Sequence, residues 1–514
     1  VVKPGTGEAD SWKISPDWVT DEGKPGVVLR TAAEHSTPGL SVPKIPPMQV
    51  ADVLLPEPKI KPLLDPGFRP AALAVRALES AAKASGKPLD VGVALEQADG
   101  STFCFRRSFL PSGHPAAAAN GYFLERLVKF LLWSRGGWKV HVEGSKELAD
   151  GLRSYYADTE TGRFDTMMMG ERIYERRFEV VSVDRLPAER ATTQALGRHW
   201  DGCRIGFDLG GSDRKVSAVM DGNPVFTEET VWDPIKQADP QYHFDGIMDS
   251  LKKAAAHLPR VDAIGGSAAG VYVNNQPRVA SLYRAVPPDL FQSRIKPIFA
   301  DLKAAWGGIP FEVANDGEVT ALAGSMALGK NAVLGIAMGT STAAGFVTRD
   351  GNITSWLNEL AFVPLDFRHE GPRDEWSMDR GVGSQYFSQQ AVGRLLPASG
   401  IEFDPELGLP EKLKLVQQHM AQGDVRARRI YETIGTYFGY GLAHFASFYD
   451  CDHVLVLGRV MTGEGGNLIL EGARAVLATE FPDLAGRIEF HTPDETAKRH
   501  GQAVAAASLP NRKG

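Results

Sequence analysis

The chain has 514 residues, 43% of them hydrophobic and 23% charged, with a net charge of −7; that length exceeds one ordinary core and implies two or three domains. The acidic balance argues against a general nucleic-acid binder, which needs a basic excess to neutralise phosphate. No apolar run reaches membrane-spanning length: the longest, Phe123 to Trp133, is broken by Glu125, Arg126 and Lys129.

The N-terminus lacks the basic-then-apolar pattern of a secretory signal. Cys104, Cys203 and Cys451 form no C-x-x-C pair, which fits a reducing, cytoplasmic setting. Residues 1–70 read as an extended arm, draped over a body or flexible, because Pro43, Pro46, Pro47, Pro56, Pro58, Pro62, Pro66 and Pro70 forbid regular helix. Residues 71–200 read as a separate α/β unit. It has a helix over 71–85, paired strands over 91–95 and 102–106 around Asp99-Gly100, and an amphipathic helix over 118–133. A strand over 139–142, a helix over 146–155 and a strand over 177–183 follow. No catalytic constellation is visible there, and His114, His141 and Met167-Met168-Met169 read as core or loop residues.

The chemistry begins at residue 201. Ile205-Gly206-Phe207 is a buried strand that delivers Asp208 to the turn Gly210-Gly211-Ser212, and a second strand leaves over 215–220. The two glycines permit left-handed backbone and close approach of a ligand. Ser212 adds a hydroxyl, and Lys215 a nearby cation. An aspartate beside phosphate calls for a divalent ion between them, and Mg²⁺ held by Asp208 through water fits. The exit by a strand rules out a dinucleotide fingerprint, and no G-x-x-x-x-G-K-[ST] loop occurs.

Val313-Ala314-Asn315-Asp316-Gly317-Glu318 follows, where an apolar strand meets a small-residue helix. At such a junction Asp316 is either a helix cap or a general base stabilised as the anion by the helix N-terminus. A second hairpin enters over 333–338 and turns through Gly339-Thr340-Ser341. Gly210 to Asp221 and Gly339 to Asp350 span the same 11 positions, and each unit closes on Asp-Gly-Asn. The repetition implies a duplicated fold whose two turns face one triphosphate across a cleft. A long helix over 425–449 carries Gly435, Gly439 and Gly441, as close helix–sheet packing would require. The strand over 454–457 runs into a glycine loop, Gly458 to Gly466, suited to an adenosine beside a helix start.

This order of motifs resembles the ROK family of sugar kinases and regulators, within the actin-like ATPase and sugar kinase superfamily, over residues 203–508. The resemblance rests on Asp208 to Ser212, Ile264 to Gly270, Asn315-Asp316, Gly339-Thr340, Asn358 to Phe362, Gly458 to Gly466 and His500 to Ala505. It implies an α/β fold of two actin-like (ribonuclease H-like) lobes around a nucleotide cleft, over 201–325 and 326–514, beside the front extension. It also implies ATP with Mg²⁺, a sugar or polyol acceptor and a homodimer. Asp316 would be the catalytic base; Asn315, Glu359 and Gly270 would hold the acceptor. Asp208, Gly210, Gly211, Ser212, Lys215, Gly339, Thr340 and Ser341 would meet phosphates and Mg²⁺; Gly458, Gly463, Gly465 and Gly466 would border the adenosine.

Three departures stand out. Phe362 replaces the family's His, Ser341, Ala343 and Ala344 stand where the family tends to carry glycines, and the family's zinc-binding cysteine cluster has no counterpart around Asp374 to Gln390, so no zinc is expected. A non-catalytic sugar sensor on the same fold is the alternative. A sugar-free ATPase is a further rival, against which Asn315-Asp316 and Glu359 speak.

Overall fold

The computed structural model describes residues 52–97, 99–190, 196–492 and 501–512. Most of the expected arm, with Pro43, Pro46 and Pro47, and His500 of the closing motif lie outside the described residues. From residue 52 the arm is draped. The Lys59 N–H donates to Glu480 (2.8 Å), the Leu64 N–H to Thr433 (3.2 Å), and Asp65 pairs with Arg368 (2.6 Å).

The front unit is a four-stranded sheet of order β2-β1-β3-β4, formed by β1 (Leu89–Glu96), β2 (Thr102–Phe109), β3 (Lys139–Glu143) and β4 (Glu179–Val183). Its helix Asn120–Arg135 is buried almost all round, Glu125, Arg126 and Lys129 included, where an amphipathic helix is expected from sequence. A helix buried on every side belongs to a shared interior. Phe130 stacks on Phe448 (3.8 Å between ring centroids) and Trp133 meets Phe362 (4.5 Å). The unit therefore has no separate core: its apolar residues and those of the second lobe form one cluster.

In the first lobe β5 (Cys203–Leu209), β6 (Asp213–Met220) and β7 (Asn223–Val231) form an antiparallel meander. β8 (Ala263–Ala268) and β11 (Phe311–Asn315) run parallel to β5, giving the order β11-β8-β5-β6-β7. This is the ribonuclease H-like arrangement. A small hairpin, β9 (Val271–Val273) and β10 (Gln276–Val279), turns through Asn274 and Asn275, both left-handed (φ 53° and 60°) as tight hairpin turns favour.

The second lobe repeats the core of that pattern. β12 (Val333–Met338) pairs antiparallel with β13 (Thr342–Val347) and parallel with β14 (His453–Leu457), which pairs in turn with β15 (Glu489–His491). The duplication is incomplete after the Asp-Gly-Asn turns. Asp221 and Gly222 are both left-handed (φ 46° and 83°) and return the chain as β7. Of Asp350, Gly351 and Asn352 only Gly351 is left-handed (φ 85°), and Ile353 makes a single bridge to Leu196.

Two helices exchange lobes relative to the boundary expected at 325/326. The helix Asp316–Leu328 lies on β12 and β13, so closely that a Cβ on Gly317 would stand 2.7 Å from the Ala344 carbonyl and one on Gly335 2.9 Å from the Ala321 side chain. The helix Gly501–Ala507 crosses back onto β5 and β8, where a Cβ on Gly206 or Gly265 would run into the carbonyls of Ala503 and Ala506. The long helix is Val425–Phe445; Gly435 and Gly439 serve helix–helix rather than helix–sheet packing, and Gly441 packs against Phe387. A Cβ on Gly439 would stand 2.6 Å from Val476 of the helix Glu464–Glu480.

Candidate functional site

Asp208 ends β5 as the sequence implies, with its side chain buried beside β8. One carboxylate oxygen accepts from the Ser267 hydroxyl (2.7 Å). Lys215 lies 3.9 Å away but is committed to Asp213 (2.7 Å). Burial raises the Asp208 carboxyl to about 6, with Lys215 and Ser267 opposing. Lys215, expected as a phosphate cation, is thus an ion-pair partner within its own turn. The Gly210 N–H closes the same turn on the Asp213 carbonyl (2.9 Å), and the Gly339 N–H likewise on the Ser341 carbonyl (2.9 Å). The first glycine of each turn shapes the loop and has no N–H to offer.

Asp316 opens the helix Asp316–Leu328, and the capping role falls to its neighbour. The Asn315 side chain accepts from the Gly317 N–H (2.7 Å) and donates to the Gly270 carbonyl (2.8 Å). The sequence reading has the helix N-terminus stabilise Asp316 as the anion; the structure reverses the sign. Burial, with Asp208 adding repulsion, pushes the Asp316 carboxyl up to about 7, and the hydrogen bond from Gly317 offsets only part of this. A helix terminus is worth about 0.3–1 kcal/mol, whereas desolvation beside a second carboxylate is worth more. Gln502 joins the two acids. Its amide donates to Ser267 (2.8 Å), itself bound to Asp208, and to the Asp316 carbonyl (3.2 Å).

Two cavities meet at this point. The larger, about 380 Å³, is lined by Gly270, Asn275, Glu312, Asn315, Glu318 and Glu359 among others. The smaller, about 210 Å³, is lined by Asp316, Gly339, Ser341, Gly458 and Arg459, with the methyls of Ala343 and Ala344 on its wall. Asn315 belongs to one cavity and Asp316 to the other, so the strand-to-helix junction is their shared wall. Asp316 also raises Glu359, which burial already lifts; that carboxyl stands at about 8.

The front unit positions Glu359. The helix Asn120–Arg135 ends with carbonyls that lack intrahelical partners. The Asn358 N–H donates to Ser134 (3.0 Å) and the Glu359 N–H to Trp133 (2.9 Å). Arg135, fully buried, lies 3.8 Å from the Trp356 ring centroid and 4.4 Å from that of Tyr449, with Nε and Nη1 lacking hydrogen-bond partners. Its charge is held against aromatic faces, and Trp356 is cavity wall. Phe362, at the family's His position, packs between Trp133 and Trp376 (4.5 and 4.7 Å). The Asp374–Gln390 segment is tied by Ser377 and Ser384 hydroxyls to Asp374 (both 2.8 Å). Arg126 and Lys129 bind it through Asp379 (3.1 and 3.0 Å).

Of the residues singled out from sequence, Gly270, Asn315, Asp316, Gly339, Ser341, Glu359 and Gly458 line the two cavities, and Asp208 adjoins through its charge. Thr340 is buried. Gly210, Gly211 and Ser212 form the β5–β6 turn. Gly463 precedes the helix Glu464–Glu480 with φ 71°, whereas Gly465 and Gly466 pack: side chains there would strike Tyr431 and the Met461 carbonyl. Sequence reasoning missed Glu312, Glu318, Asn275, Arg459 and Gln502. Glu318 carries a signal, being an acid immediately before the Ala-rich run 319–327. It is buried, accepts from Asn358 and the Phe346 N–H, and stands at about 8 because of burial.

No family model matches the chain, and no curated protein matches it. Solved structures do. A ROK hexokinase from Thermus thermophilus is 20% identical, with a TM-score of 0.47 over 59% of this chain and 96% of that one. A ROK family glucokinase from Streptomyces griseus, in complex with glucose and AMPPNP, is 21% identical, with a TM-score of 0.41 over 61% and 100%. A ROK family transcriptional regulator, a homologue of the E. coli MLC protein, is 18% identical, with a TM-score of 0.48 over 60% and 78%. The strand orders of the two lobes show a duplicated α/β fold, and the solved structures to which the chain is similar are ROK-family proteins that include both kinases and a regulator.

Proposed function

We propose that the protein transfers the γ-phosphoryl group of ATP to a hydroxyl of a sugar or polyol, with Asp316 taking the hydroxyl proton. The observation that carries this reading is the position of Asp316 on the wall between two cavities, with its carboxyl raised to about 7. A base is most effective when its proton affinity lies near the working pH. The larger cavity supplies carboxylates and carboxamides, and its described lining residues include no Lys or Arg. Hydroxyl groups can hydrogen-bond to that wall, and none of its described lining residues is a Lys or Arg that could hold an acceptor already bearing phosphate. The smaller cavity has Ser341, the backbone of Gly458 and the cation of Arg459 for the nucleotide.

Asp208, a hard oxygen donor with one oxygen on Ser267, would hold Mg²⁺ through water. When bound, that ion neutralises charge on the transferring phosphates. The chain's own part is positional: Asn315 fixes the start of the helix, Glu359 orients the acceptor, and Asp316 accepts the proton. Phosphoryl transfer draws mostly on such positioning, and no covalent nucleophile is required.

The test is Asp316→Asn, assayed with Mg-ATP against a sugar and polyol panel. Turnover falls by about 10²–10⁴-fold while ATP binding, followed by calorimetry, is retained. Unchanged turnover removes Asp316 from the mechanism. Saturable sugar binding without phosphorylation of any panel member replaces the kinase reading with a sensor.

A further inference from the structure

Far in the chain from the cysteine-free segment Asp374–Gln390, three side chains converge at the edge of the second lobe. Among the described residues, His453, Glu489 and His491 are the one group of His, Cys, Asp or Glu side chains placed to share a metal ion. We propose that they bind a divalent transition ion of the zinc class.

The parallel register brings the three together. His453 of β14 lies opposite Glu489 of β15, and Leu455 opposite His491. Residues two apart on a strand share a face, so Glu489 and His491 both look toward His453. Phe490 between them turns the other way, toward Phe438 (6.3 Å).

The same three atoms define every edge of the triangle. His453 Nδ1 is 3.1 Å from His491 Nε2 and 3.3 Å from Glu489 Oε2, and His491 Nε2 is 3.7 Å from Glu489 Oε2. Zinc bonds to imidazole nitrogen and carboxylate oxygen of about 2.0–2.1 Å place tetrahedral ligand atoms about 3.3–3.4 Å apart. The observed edges scatter around that value, so one ion can reach all three atoms with little movement. A hydrogen bond between the two imidazoles accounts for one edge and leaves the convergence of Glu489 unexplained. Two nitrogens and one oxygen are a donor set for zinc rather than for Mg²⁺ or Ca²⁺. The imidazoles are mostly buried (16% and 13% side-chain exposure) and Glu489 is open (59%). The fourth coordination position therefore faces solvent.

The consequence is structural. β15 has three residues and, among the described residues, pairs only with β14. It is the last described strand before the helix Gly501–Ala507 on the first lobe. An ion bridging β14 and β15 would staple this short edge strand to its neighbour.

The experiment uses the full chain, freed of metal with EDTA, exchanged into a non-chelating buffer and titrated with ZnCl₂ by calorimetry. Wild type takes up one saturable equivalent and melts at a higher temperature with it; Co²⁺ in its place gives a tetrahedral visible spectrum. Glu489→Gln, at an exposed position where folding is not at stake, and His491→Ala each weaken binding by more than about tenfold, since even lost support of a ligand costs about 10–100-fold. No saturable uptake by wild type overturns the proposal. So does the same single equivalent, with the same affinity, in Glu489→Gln.

Discussion

Among the described residues, two clusters of ionisable side chains in the interior are built in opposite ways. In the first, two cations, Arg126 and Lys129, face Glu125, Asp165 and Asp379 at 2.5–3.1 Å. Burial raises Glu125 and Asp165 even beside these cations, whereas at Asp379 Arg126 and Lys129 outweigh burial and hold the carboxyl low. In the second, Asp208, Asp316, Glu318 and Glu359 have no ion pair among the described residues closer than the 3.9 Å contact of Lys215 with Asp208, and all four stand between about 6 and 8. The first cluster joins the front unit to the Asp379 loop. The second lines cavities and leaves proton affinities near neutrality. Matched charge fastens; unmatched carboxylate is left for a ligand or a proton.

The contrast breaks if the first cluster turns out dispensable. Lys129→Met leaves Asp165 and Asp379 short of a cation in the interior, and the expected loss is about 3–5 kcal/mol in urea unfolding. That loss shrinks at acid pH, where the orphaned carboxyls take up protons. A near-neutral effect at pH 8 would mean that the cluster fastens nothing.

The second cluster is sharpened by Glu359→Gln, which keeps the shape and removes the titratable proton. The acceptor KM rises about tenfold with a smaller change in kcat, as for a group that binds rather than reacts; equal losses in kcat and kcat/KM would assign it a reacting role. The smallest effect belongs to Glu318→Gln. Glu318 is raised from 4.5 to about 8, so its protonated form favours the fold. That contribution is whole below about 4.5 and is lost as pH climbs through 8. The variant's melting temperature therefore exceeds wild type by a few degrees at pH 9, and that advantage falls to about half at pH 6. A constant offset at both would show that ionisation is not the cause.

Much of the fold was legible because it rests on local patterns. Both Gly-Ser-Thr turns, the Asp208 strand and the Asn315-Asp316 junction follow from strand alternation and glycine placement. What stayed hidden depends on partners far along the chain. Nothing near Trp133 or Ser134 says that their carbonyls will receive the N–H groups of Glu359 and Asn358. Nothing in the Ala-rich helix after Asp316 tells which sheet it will cover. The raised Asp316 was misread for the same reason. The helix start is visible in sequence, whereas the neighbouring Asp208 and the burial that overrule it come from tertiary packing.

The pH dependence of kcat/KM for an accepted polyol tests the role of Asp316 most directly. The carboxyl must be ionised to take a proton, so the rate rises with pH through about 7, where Asp316 titrates in company with Asp208 and Glu359. In Asp316→Asn the residual rate loses that rise. A wild-type profile flat between about pH 6 and 8, or the same inflection in Asp316→Asn, would contradict the account.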